Sequence, residues 1–143
     1  MTISLPPETS SPPRLQPSSW LRYFSFSVDH KVIGLQYLVC GFVFYLIGGA
    51  LAGAIRTELT SPVADFMARD VYNQVLTLHG TVMIFLWIVP VVNGAFGNYL
   101  IPFYVGARDM AFPRLNAVAF WLIPPAGLML ITSYFLTGAA QSG

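Results

Sequence analysis

Residues 71–107, VYNQVLTLHGTVMIFLWIVPVVNGAFGNYLIPFYVGA, contain no Asp, Glu, Lys or Arg in 37 positions. The most apolar part runs from 75 to 92. A helix rises 1.5 Å per residue, and about 20 apolar residues cross a hydrocarbon core. This stretch is longer than one straight crossing needs, and Pro90 and Pro102 predict kinks or an early end. Working outward, residues 32–55 form a second uncharged run of 24, about 36 Å as helix. Residues 115–143 form a third, with its apolar part at 117–136 and a Pro124-Pro125 pair inside. The fold expected is all-α and integral to a membrane, with three spans at about 32–55, 72–101 and 116–138.

The whole composition agrees. Hydrophobic residues make up 55% of the chain and charged residues 9%, against about 25% charged in a soluble domain. Seven Lys plus Arg face six Asp plus Glu, for a net charge of +1. That leaves no basic patch for nucleic acid. Cys40 is the single cysteine, which excludes an internal disulfide framework and a cysteine metal cluster. The first twenty residues are rich in Pro and Ser instead of basic and then apolar, unlike a cleaved signal peptide.

Basic residues set the orientation. Arg14, Arg22 and Lys31 precede the first span, and Arg108 and Arg114 lie between the second and third. The first loop carries only Arg56 and Arg69. Five against two predicts a cytoplasmic N-terminus and an outer first loop. Residues 1–19 read as a disordered cytoplasmic tail, and 20–143 as the membrane domain. Trp20, Tyr23, Phe24 and Phe26 suit an interfacial segment, and Asp29 is placed to cap the first helix.

The helix faces carry the functional signals. Gly34, Gly41 and Gly48 recur every seven residues, and Gly49 and Gly53 form a small-xxx-small motif. Close helix packing is the ordinary reading of such glycines. Arg56 follows Gly53 by three residues on the same face, where a cation has room for a flat or anionic partner, or snorkels to headgroups. On the second span, a 100° step puts Tyr72, His79, Met83, Leu86, Pro90, Asn93 and Gly97 near one line. Ile84, Phe85, Ile88, Val91 and Val92 fall opposite, on the side expected to meet lipid.

His79 lies about 12 Å in from the outer end by this reading. An imidazole in hydrocarbon is costly unless bonded, and the setting disfavours the charged ring, leaving a lone pair available. Axial ligation of heme iron, a hydrogen bond to a neighbouring helix and a proton relay are all open to it. Gly80 leaves room beside it for a macrocycle edge. Zinc does not fit, because His30, the other histidine, lies near the opposite face. Asn98, Asp109 and Asn116 gather at the inner end of the second and third spans. An acid with neighbouring amides can hold waters and admit protons, or Asp109 orders the loop and Asn116 caps the third helix.

The strings DHKVIGLQYL, IRTEL, TLHGTVMIFLWIVP, GAFGNYLIP, VGARDMAFPRLN and FWLIPP, in this order from about Tyr23 to the end, identify the chain as resembling the N-terminal part of subunit I of the heme–copper oxidases, of the cytochrome c oxidase type. The resemblance implies the first three helices of a twelve-helix bundle. It implies that His79 is one axial ligand of low-spin heme a, with the second on a later helix. It makes Arg56 the partner of the heme a formyl group. Asp109 becomes the mouth of the D-type proton pathway, with Asn98 and Asn116 along the entry. Glu58 resembles the carboxylate of a calcium or sodium site found in some members, where Val63 replaces a glycine. The implied activity is reduction of oxygen to water coupled to proton pumping, at a high-spin heme and copper whose ligands lie on later helices. The implied partners are the remainder of subunit I, a dicopper-bearing subunit II, subunit III, membrane lipids and cytochrome c; a quinol-oxidising relative shares these motifs. The expectation is a fragment or one piece of a split subunit, inactive towards oxygen alone, and a truncated non-catalytic membrane protein is the remaining alternative.

Overall fold

The computed structural model describes residues 23–62 and 66–136. The tail at 1–19, Trp20, Arg14, Arg22 and Val63 fall outside these. Helix α1 spans His30–Glu58. The Asp29 carboxylate accepts the Lys31 N–H at 3.0 Å, capping the helix as the sequence predicts. Arg56 sits in the last turn, where a cation complements the helix dipole.

The second span, Arg69–Val105, is continuous over 37 residues but not uniform. Helix α2, Arg69–Thr81, opens into a wider π-helical spiral over Val82–Ile88 and Pro90–Gly97. It narrows again to α3, Asn98–Val105. Pro90 has no N–H to give, and its ring crowds the carbonyl four residues back; an i→i+5 register relieves that crowding. The span stops at Gly106, whose φ of 71° is left-handed. Gly106 N–H donates to Phe103 O at 3.3 Å and Ala107 N–H to Pro102 O at 2.9 Å, the paired bonds of a Schellman end. Helix α4, Pro113–Ser133, begins with proline at its first turn, where no N–H is needed, and keeps Pro124 and Pro125 inside.

The wider spiral corrects the face assigned from a 100° step. Burial recurs at Val82, Leu86, Pro90, Gly94 and Asn98, four residues apart. Val91, expected among lipid-facing residues, is buried at 6% exposure. Asn93, expected to face inward with His79, is exposed on the three-span unit. Ile84, Phe85, Ile88 and Val92 do face outward.

Glycines set how closely the spans approach. A side chain at Gly34 would meet Ala95 O, one at Gly41 would meet Val91 and Trp87, and one at Gly48 would meet Met83. The seven-residue stripe of α1 therefore packs on the second span. In return, Gly94 accepts the Tyr37 ring and Gly127 of α4 accepts the Phe44 ring. Two small cores result, one of Ile33, Tyr37, Ala95, Ala117 and Phe120, the other of Phe44, Leu78, Val82 and Leu86. Tyr37 and Phe120 meet edge to face at 5.1 Å. At most a third of the most apolar window of any span is buried. Helices apolar on their outer faces as well as their inner ones are those of an integral membrane protein.

Candidate functional site

His79 lies in the last turn of α2, against α1. Its Nδ1–H donates to the main-chain carbonyl of Gly48 at 2.9 Å. A carbonyl can only accept, so the shared proton belongs to Nδ1, and Nε2 keeps its lone pair. Such a bond fixes the tautomer and ring orientation of a metal-binding histidine. The approach is possible because Gly48 has no side chain, and a Cβ there would strike Met83 Sδ at 2.5 Å.

Beside this ring the surfaces are bare. Nothing lies within 4 Å of where a side chain would project from Gly49, Gly53 or Gly80. Arg56 is exposed one turn beyond Gly53. A correctly protonated imidazole beside three uncovered glycines is compatible with a flat macrocycle, so the residues present fit a heme. The Gly48 acceptor was not identified from sequence. Its signal was present, since a glycine stripe marks where one helix can offer its backbone to another.

A polar cluster occupies the other end of the bundle. Asn98, 4% exposed, donates from Nδ2 to Asn116 Oδ1 at 3.1 Å. Asn116 Nδ2 donates in turn to the Met110 sulfur at 3.3 Å. Asp109 Oδ1 accepts the Met110 N–H at 2.8 Å and lies 3.2 Å from His30 Nδ1, which donates to it. The carboxylate side chain is 47% exposed and the histidine 9%. The chain thus joins Asn98 to Asn116 directly and to Asp109 through Met110, bringing together the three residues grouped from sequence. The capping role open to Asn116 is not what it does: Phe112 occupies the cap position, and the amide reaches across to Asn98. His30, 79 residues away in sequence, and Met110 are the members of this cluster that sequence reasoning missed.

Glu58 is buried at 6% exposure beneath the first loop, and its Oε2 accepts the Met67 N–H at 2.9 Å. A cavity of about 830 Å³ beside it is lined by Leu59, Met67, Arg69, Tyr72 and Asn73. Among the described residues no group of three or more His, Cys, Asp or Glu side chains is placed to hold a metal ion.

Comparison with known proteins places this arrangement. A family model described as "Cytochrome C and Quinol oxidase polypeptide I" matches residues 32–143. Cytochrome c oxidase subunit 1 of Synechocystis sp. is 59% identical over 143 residues, all of this chain and 25% of that protein. The subunit of the same name from Thermostichus vulcanus is 64% identical over 124 residues, 87% of this chain and 22% of the relative. A heme-copper oxidase subunit I+III of Aeropyrum pernix is 41% identical over 124 residues, 87% of this chain and 15% of that protein. The chain spans about a quarter of the length of the first two relatives. With the match covering three closely packed apolar spans and the histidine between them, this chain belongs to the subunit I family of the cytochrome c and quinol oxidases.

Proposed function

We propose that this chain is the N-terminal segment of a cytochrome c oxidase subunit I. In the assembled complex it would hold one side of a low-spin heme a and carry the entrance of a proton pathway. The observation that carries this reading is the His79 Nδ1–H bond to the Gly48 carbonyl, which leaves Nε2 free to ligate iron. Arg56, at the end of the Gly49 and Gly53 face, would hydrogen-bond the heme formyl group. A low-spin heme bound there supplies one-electron transfer between a donor and the oxygen-reducing centre. The residues of this chain do the holding: His79 ligates, the glycines leave room, and Arg56 places a fixed positive charge.

Oxygen reduction with proton pumping would be performed by the complete complex. There the remaining helices of subunit I supply a high-spin heme and copper, subunit II the dicopper centre that receives electrons from cytochrome c, and subunit III a further partner. Protons would enter at Asp109, half exposed at the end of the bundle, and pass inward by the amides of Asn116 and Asn98. Glu58, whose carboxylate already receives the Met67 N–H, holds the first loop; a calcium or sodium ion would add to that same role.

The test is made on the complete complex. His79→Ala should abolish the low-spin heme a band in the reduced-minus-oxidised spectrum, and survival of the band overturns the ligand assignment. Asp109→Asn should slow proton uptake by about tenfold or more, equivalent to about 1.4 kcal/mol of barrier, with heme content unchanged. Loss of the hemes in that variant would make Asp109 structural.

A further inference from the structure

We propose that Asn93 is the next polar group inward from the Asn98–Asn116 pair, helping to hold the water that carries protons beyond them. This rests on the reading of that pair as part of a proton entry. Asn93, Asn98 and Asn116 line one cavity of about 240 Å³, together with Tyr37 and Gly94. The volume exceeds what a single water occupies, and a water persists in such a space only with two to four polar partners. Three carboxamides around one cavity meet that requirement.

The helix geometry makes the grouping specific. Asn93 and Asn98 are five residues apart, and in an α-helix a five-residue step turns about 140° away from the starting face. Here burial recurs every four residues from Val82 to Asn98, so the same step ends only about 90° from the starting face. The widened spiral thus brings exposed Asn93 beside the Gly94–Asn98 line, where it joins both in lining the cavity. Asn93 lies about a third of the way along the span from the Val105 end, beyond the reach of headgroups. A carboxamide at that depth costs free energy unless it is hydrogen-bonded, and water in the shared cavity supplies the bonds.

The experiment uses the complete complex with Asn93→Val, the similarly shaped Asn93→Thr, and Asp109→Asn as reference. Asn93→Val should slow proton uptake during turnover by about tenfold and raise the solvent deuterium isotope effect, with the heme spectrum unchanged. Asn93→Thr, which keeps a donor and acceptor, should recover most of the rate. Should Asn93→Val not assemble, the smaller Asn93→Ala makes the same comparison with Thr. Equal slowing by the apolar and the Thr variants would make the position one of packing and overturn the proposal. So would a normal rate in Asn93→Val beside a slow Asp109→Asn. An Asp109→Asn complex with normal uptake would instead overturn the proton-entry reading itself.

Discussion

Glycines in this chain fall into two kinds, separated by what a methyl group would touch. At Gly94 and Gly127 it would enter the rings of Tyr37 and Phe44. Gly94→Ala should therefore cost about 1–3 kcal/mol through overpacking, read as a lower midpoint of thermal unfolding in detergent. At Gly53 and Gly80 it would meet nothing. Gly80→Ala should leave that midpoint within about 0.5 kcal/mol and yet shift or broaden the low-spin heme band of the complete complex, because it fills the room proposed for the macrocycle edge. An unchanged band would argue against a heme edge at that place. The stripe of Gly34, Gly41 and Gly48 was legible in the sequence because its spacing repeats. The roles of Gly94 and Gly127 were not, because the rings they accept come from another helix. His79 stood out through its cost in hydrocarbon, whereas its Gly48 acceptor depends on how two helices lie together.

Among the elements, α1 is held at its start by more than its cap. Buried Gln36 donates from Nε2 to the carbonyls of Tyr23 and Ser25, each at 2.9 Å, and so ties the preceding segment back along the helix. Gln36→Leu removes both donors and should cost about 1–3 kcal/mol. Hydrogen exchange should quicken at residues 24–28 with the heme spectrum unchanged; equal exchange in both proteins would contradict the tie. The existence of three spans was readable from charge-free runs alone. The register within the second was not, since a fixed 100° step presumes an α-helix throughout, and Pro90 changes the pitch of the residues around it. For the same reason Val91 is buried where lipid was expected, and Asn93 is exposed at the edge of the cavity it lines with Asn98 and Asn116. Asp109 and the two asparagines could be grouped because they fall near one turn of the chain, whereas His30 comes to them through the packing of α1.

For the molecule as a whole, we propose from the distribution of basic residues that the first loop lies outside and the Gly106–Phe112 connection inside. In a Cys40→Ser background, a cysteine at exposed Leu59 should react with a membrane-impermeant maleimide added to intact cells. A cysteine at exposed Ala107 should react only after the membrane is opened. The reverse pattern would invert the molecule and put Asp109 on the wrong side to take protons from the cytoplasm. The outward apolar faces of the three spans are wide, so a lipid or detergent environment is part of every such measurement.

The carbonyl that steadies His79 is main chain, and this has a consequence for what mutation can reach. No exchange of side chain deletes that oxygen. Bulk introduced at residue 48 could only wedge the two spans apart, and a one-residue slip of α1 would swing the oxygen around to another side. The histidine's aim is thus set by helix alignment, so damage to it can originate from packing faults many residues distant.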